Sequence, residues 1–308
     1  MDIVGLGSLA MDVLMQVDAL PKEDGFCLIR STTYLPGGSG TNVIVQAARL
    51  GAKCGYIATV GNDQIGVDVL KNLVGEGVDI SAMAIMQGGT TLHTNIVVDP
   101  EGRKFIMLDV GDAFFSTGED ADMRPIDDAK VFYTDLFPYA PALAALKRAK
   151  SKGVTTVFNM QAGLDTMQNM GITGEMILDC LQYADVFAPC RLGLFGLAGT
   201  EDIEACRRFV REHFSGLLVL TLGAEGSVAF DAQDRETRVP AVRVKPVDTT
   251  GAGDSYIGSF MVKHLLEGAS LEEAMVFASA CAGYTCTGLG ARFSPSQAQI
   301  KAFFEAQP

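Results

Sequence analysis

From residue 131 onward, short apolar runs alternate with longer amphipathic ones. Val131–Asp135 precedes Pro141–Lys152, Thr155–Asn159 precedes Thr173–Gln182, and Val186–Ala188 precedes Glu201–Phe214. Leu217–Leu222 and Ser227–Phe230 then flank a glycine-rich turn, and Asp254–Glu267 follows as a helix. Runs this short and this uniformly apolar fit strands buried on both faces. Strands alternating with helices require a mostly parallel sheet with helices on both faces. Helix boundaries are marked locally. Pro141 is expected at a first helical position, Thr200 as an N-cap, Gly51 as a C-terminal stop, and Ser270–Glu273 and Ser294–Gln297 as capping boxes.

The first third of the chain departs from this alternation. Ile3–Gly7 is expected as the first buried strand, Thr41–Leu50 and Gly66–Gly75 as helices, and Gly55–Val60 as a strand. Between them lie further strand-like runs, Val13–Val17, Cys27–Leu35, Thr91–Asp99 and Arg103–Leu108, the last two joined by the hairpin signal Pro100-Glu101-Gly102. They predict a small β layer built from insertions at about 12–36 and 88–110. Such a layer, leaning over the carboxyl edge of the main sheet, would act as a lid.

A net charge of −13 over 308 residues makes nucleic acid a poor partner. It does not exclude phosphate, which backbone N–H groups at a helix start bind without side-chain charge. The seven cysteines form no Cys-x-x-Cys pair and only three histidines accompany them, so no zinc site is expected. An odd cysteine count, an opening Met-Asp-Ile-Val-Gly without a basic segment, and the lack of a long apolar run together predict a cytoplasmic chain with neither signal peptide nor membrane span.

Two glycine motifs carry chemistry. Gly5-Leu-Gly7-Ser-Leu-Ala10 fits a dinucleotide-binding pattern, but the following Asp12–Pro21 reads as a strand where that fold needs a helix. No Gly-x4-Gly-Lys-Ser/Thr occurs. The second motif, Asp248-Thr-Thr-Gly-Ala-Gly-Asp254, opens a helix. Gly251 and Gly253 let the backbone approach a ligand, and the N–H groups of Gly251, Ala252, Gly253 and Asp254 at a helix start would point outward as an anion hole for a transferred phosphoryl group. Asp254 in that first turn is placed to accept the proton of an attacking hydroxyl. By itself an Asp there would equally complement the helix dipole.

The run Asp248–Asp254 resembles the C-terminal signature of the ribokinase-like (PfkB) carbohydrate kinases, and Gly37-Gly-Ser-Gly-Thr-Asn42 followed by Ala47–Gly51 resembles the N-terminal one. Thr221-Leu-Gly-Ala-Glu-Gly226 resembles the nucleotide-side strand and turn. The resemblance implies a single ribokinase-like α/β domain over 1–308 with the β lid, using ATP, Mg²⁺ and, in some members, K⁺. It implies Asp254 as general base, with Gly251, Ala252 and Gly253 as the anion hole. Asp12, Gly38 and Asn42 would bind hydroxyls of a small sugar or polyol, and Thr221, Gly223, Gly226 and Gly253 would bind nucleotide. Asp248, Thr250, Gly290 and Ser294 would hold a monovalent cation, and the lid would pair two copies into a homodimer.

One stretch departs from the family. Where its members carry Asn-x-x-Glu after a strand ending in Pro, this chain has Pro189-Cys190-Arg191-Leu192-Gly193. Neither Cys190 nor Gly193 supplies a hard oxygen for Mg²⁺; Arg191 would offset phosphate charge instead. Two alternatives follow: a nucleoside kinase, for which an aromatic among Phe26, Tyr34, Phe105, Phe114 and Phe115 would stack on a base, and a non-catalytic sugar or nucleoside sensor. His93, in an apolar strand, reads first as structural.

Overall fold

A computed structural model describes residues 1–305. Fourteen strands occur in it: β1 Ile3–Leu6, β2 Ala10–Val17, β3 Ile29–Gly37, β4 Cys54–Ile57, β5 Thr59–Gly61, β6 Ala84–Met86 and β7 His93–Val98, then β8 Lys104–Asp109, β9 Val131–Thr134, β10 Thr155–Met160, β11 Val186–Pro189, β12 Leu217–Thr221, β13 Ser227–Phe230 and β14 Glu236–Val239. The α-helices are α1 Ser39–Arg49, α2 Gln64–Gly75, α3 Arg124–Asp127, α4 Tyr139–Ser151, α5 Leu164–Asn169 and α6 Gly174–Leu181, then α7 Arg191–Ala198, α8 Ile203–Arg211, α9 Ala252–Phe260, α10 Leu271–Thr285 and α11 Gln297–Glu305.

Eight strands form the main sheet in the order β14-β13-β12-β11-β10-β9-β1-β4, parallel from β12 to β4 and antiparallel at β13 and β14. Alternate residues of each strand enter opposite cores. Val131 and Tyr133 pack with α1, α9 and α10 on one face, and Phe132 packs with α4, α6 and α8 on the other. That double burial is why these strands read as unbroken apolar runs. A second sheet, β3-β2-β7-β8, is made by the hairpin-like segments of the first third. Its strand β8 is exposed along its whole length, and β7 is half-buried.

Some boundaries differ from expectation. The eighth helix begins at Ile203, capped by Asp202, not Thr200, because the Asp202 carboxylate takes the Ala205 N–H at 2.7 Å. Helix α4 begins at Tyr139, so Pro141 stands in its third position, where the N–H has no helical acceptor in any case. The last capping box is formed by Ser296 and Gln299 rather than Ser294 and Gln297, since the Ser294 hydroxyl is bound by Arg49. Gly55–Val60 is divided between β4 and β5. The Asp254 helix is α-helical only to Phe260 and continues as a π-helix over Met261–Leu266. Helix α7 carries no start signal in the sequence because its cap is Cys190, whose Sγ accepts from the Gly193 N–H at 3.3 Å.

Candidate active site

Parallel strands deliver their chain ends to one edge of the sheet, and the chemistry gathers there. β1 leads to Gly7 and Ser8, β9 to Asp135, β10 to Gln161, β11 to Cys190, and β12 to Leu222 and Gly223. The strand order reverses between β1 and β9, leaving a crevice. Into this edge point the N-termini of α1 and α9, each capped by a glycine at positive φ: Gly38 (φ 84) and Gly251 (φ 78). At Gly251 a side chain would also run into the Ala291 carbonyl, so only glycine serves.

Asp254 is the third residue of α9 and only 7% exposed. One carboxylate oxygen accepts from the Ser39 hydroxyl at 2.5 Å, and the other accepts from the Asn42 amide at 2.9 Å. Burial pushes its pKa above the ordinary carboxylate value, while these two donors and the Arg292 guanidinium pull it back. In front of it, the N–H groups of Gly251, Gly253 and Asp254 have no acceptor among the described residues, whereas that of Ala252 reaches the Thr249 carbonyl at 3.3 Å. Of the four N–H groups expected to point outward, from Gly251 to Asp254, three are open and only that of Ala252 is taken. Gln161 lies against Gly253 and donates to Asn159 at 2.9 Å, which donates to the Tyr133 hydroxyl at 3.0 Å.

The other expected substrate contacts are nearby. Asp12, on β2, accepts from the Thr94 hydroxyl of β7 and faces Gly37. Asn42 has both amide ends occupied, one by Asp254 and the other by Arg292 Nε at 2.9 Å. Two residues that sequence reasoning passed over belong to this edge: Arg292 and Asp135. Asp135 is buried and accepts from the Ser8 N–H at 3.0 Å, the Ser8 hydroxyl at 2.5 Å and the Phe137 N–H at 3.1 Å. Burial pushes its pKa up to about 6, and the nearby Asp254 charge adds to the rise. Its place at the end of the strand beside the crevice was the one available signal.

On the side expected to take nucleotide, Thr221 ends β12 and bridges Cys190, while Gly223 (φ 62) and Gly226 (φ 94) shape the following turn. Arg191 donates to the Leu222 carbonyl at 3.1 Å and pairs with Glu225, and its buried Nε has no partner. The missing Asn-x-x-Glu is not replaced in place. The Cys190 thiol, its pKa raised by burial, caps α7, and a side chain at Gly193 would meet the Ala162 carbonyl at 2.9 Å. Among the described residues no cluster of His, Cys, Asp or Glu is set to hold a metal ion. Of the residues expected around a monovalent cation, Asp248, Thr250 and Gly290 meet. Asp248 accepts from Thr250 N–H (2.9 Å) and hydroxyl (2.7 Å) and from Gly290 N–H (3.0 Å). Ser294 does not join them, because Arg49 binds both its carbonyl (2.7 Å) and its hydroxyl (3.3 Å).

His93 turns its Nδ1 to the Thr91 carbonyl at 2.9 Å, a structural contact. Phe26, Tyr34, Phe105 and Phe115 are exposed, and Phe114 is buried.

The pattern of the pfkB family carbohydrate kinase matches residues 1–298. A mouse (Mus musculus) ribokinase is 32% identical over 265 residues, covering 83% of this chain and 80% of its own. An ATP-dependent ribose-1-phosphate kinase of Halopiger xanaduensis is 29% identical over 302 residues, covering 98% and 97%. The crystal structure of a ribokinase from Thermotoga maritima superposes with a TM-score of 0.84 at 25% identity, covering 99% of both chains.

Proposed function

Because this chain belongs to the pfkB family of carbohydrate kinases, phosphotransferases with an alcohol acceptor, we propose that it transfers the terminal phosphoryl group of ATP to a hydroxyl of a small sugar or polyol, with Asp254 as general base. One observation carries the reading. A buried carboxylate, fixed at both oxygens by Ser39 and Asn42, stands in the first turn of a helix whose leading N–H groups lack acceptors.

In the step, Asp254 takes the proton of the acceptor hydroxyl, that oxygen forms a bond to the terminal phosphorus, and the bond between this phosphorus and the bridging oxygen of ADP breaks. The free N–H groups of Gly251, Gly253 and Asp254 stabilise the charge on the transferred group, as preorganised donors do without reorganising. The oxygen atoms of Asp12 and the bare backbone at Gly38 serve the substrate's other hydroxyls. Asn42, with its amide committed to Asp254 and Arg292, serves the base. Thr221, Gly223 and Gly226 line the nucleotide side, and Arg191 meets phosphate charge there. Among the described residues no cluster of His, Cys, Asp or Glu is set to hold Mg²⁺, so the ion would enter on the nucleotide's phosphates with its own water. The occupied Ser294 argues against K⁺ dependence of the kind first expected.

The β3-β2-β7-β8 sheet acts as a lid over this edge and joins two copies. Phe105 and Met107 lie on one face of β8 and Ile106 and Leu108 on the other, all more than half exposed. A strand apolar on both faces calls for cover on each. Among the described residues no helix is long and apolar enough to cross a membrane, and a cytoplasmic setting fits seven cysteines that form no disulfide.

The deciding experiment measures ADP release from ATP and Mg²⁺, with and without K⁺, over sugars, polyols and nucleosides. A rate requiring one acceptor and falling about 10²–10⁴-fold in Asp254→Asn is expected. A nucleoside as that acceptor would move the assignment within the family. Binding of an acceptor without turnover would mean a sensor.

A further inference from the structure

We infer that Arg292 is a positioning residue for phosphoryl transfer, fixing the Asn42 side chain so that its amide N–H group, and not its oxygen, faces Asp254. The inference rests on Asp254 being the base.

A primary amide has one accepting end and one donating end, and a carboxylate beside it is held by the second and repelled by the first. Guanidinium only donates. With Arg292 Nε 2.9 Å from Asn42 Oδ1, the oxygen is held on that side, and Nδ2 is left to reach Asp254 at 2.9 Å. The remaining guanidinium nitrogens are held by acceptors on β3, α1 and α2: the Gly37 carbonyl at the end of β3 (3.1 Å), the Thr41 hydroxyl beside Asn42 in α1 (2.8 Å) and Asn72 in α2. The planar fork is thus fixed on several sides, which a lysine cannot reproduce.

A second observation separates this arginine from a structural one. No carboxylate among the described residues lies within ion-pair distance of it, although burial depresses its pKa to about 10. A buried cation without a direct counter-ion costs folding free energy. The carboxylates whose charge reaches it are Glu76, already bonded to Arg49, and Asp254. The loop that carries Arg292 also lays Ala291 against Gly251, the cap of α9, and donates from Gly290 to Asp248. One short segment thereby touches the anion hole with its backbone and the base, through Asn42, with its side chain.

The test combines kinetics with a direct reading of the carboxyl group. Arg292→Met is expected to lower kcat about 10–100-fold, with KM for the acceptor nearly unchanged, as a misplaced catalytic group does. Asn42→Leu is expected to fall in the same range, and the double variant to be no slower than the slower single one, since both cut the same path. Arg292→Lys restores charge but not the fork and should recover only part of the rate. Ile177→Val trims a buried side chain of α6 on the far face of the main sheet, away from Arg292 and Asp254. It should lower Tm and leave kcat alone, which separates positioning from stability.

Independently of turnover, a ¹³C-carboxyl titration of Asp254 should move upward in Arg292→Met. Besides Arg292, the groups whose charge reaches Asp254 are Asp135, Tyr133 and Tyr56, and none is altered by this change. Independent, multiplying effects of the two single substitutions, or an Asp254 titration unchanged in Arg292→Met, would overturn the inference. A parent protein that releases no ADP with any acceptor would defeat the kinase reading instead, and the carboxyl titration would still decide the role of Arg292.

Discussion

The Ser39 hydroxyl donates to Asp254 at 2.5 Å across a sequence separation of 215 residues, joining the first turn of α1 to the first turn of α9. The bond favours the ionised carboxylate, against the burial that opposes it. Ser39→Ala removes a hydrogen bond to a charged group, worth roughly 1.5–3 kcal/mol. Asp254 then holds its proton to higher pH, and a protonated base is inactive. The acid limb of the kcat/KM profile is expected to move upward, so the rate deficit is larger at low pH and shrinks as pH rises. A uniform deficit at all pH values would show that Ser39 acts otherwise.

Arg191 and Glu225 form an exposed pair beside the Gly223 turn. Exposed pairs contribute about 0.2–1 kcal/mol, so phosphate competes with Glu225 readily. Glu225→Gln should tighten ATP about two- to fivefold by leaving the guanidinium free. Arg191→Ala should weaken ATP at least about tenfold, the loss of one charge-assisted contact. Calorimetric titration with a non-hydrolysable ATP analogue reads both. If Arg191→Ala leaves affinity and turnover untouched, phosphate charge is met elsewhere.

Asp135 gives a pH dependence of stability with a defined sign. Its folded pKa of about 6 lies above the model-compound value of 3.8. The folded state therefore binds the proton more strongly than the unfolded chain. Its stabilising share is complete below about pH 4 and is lost as pH rises through about 6, a swing of roughly 3 kcal/mol. Relative to the parent, Asp135→Asn should gain Tm steadily over that interval and no further above it. A Tm difference that does not change with pH would contradict the assignment.

The apolar edge strand β8 predicts self-association. Ile106→Asp with Leu108→Asp should convert a dimer to a monomer in sedimentation, with the far-ultraviolet circular dichroism unchanged. A parent protein that sediments as a monomer at micromolar concentration would remove the lid as an interface.

Legibility from the sequence followed how local each signal was. The sheet and its helical layers could be read because a strand buried on both faces and a helix each declare themselves within a few residues. Gly251–Asp254 could be read as a proposed anion hole and base because its open N–H groups and its carboxylate share one turn. Asp135 and Arg292 could not. Ser8 and Asn42, their partners across the site, lie 127 and 250 residues away, and only the strand end before Asp135 offers any sign. Asn42 was readable as a site residue but not in its orientation, which depends on Arg292. Helix α7 was missed because a cysteine cap resembles no cap, and the Arg49 contact to Ser294 was not legible because the two lie 245 residues apart.

The two glycine-capped helices that meet at Asp254 come from opposite ends of the chain, and Arg292 lies later still. A ribosome must release nearly the entire polypeptide before Asp254 can acquire its partners. Contacts between residues so far apart also form slowly, after the local ones. Nascent and half-folded chains would therefore hold the lid segments and the β1 edge without a competent carboxylate. If Asp254 is the base proposed, such a chain would turn over no ATP before its acceptor site was complete.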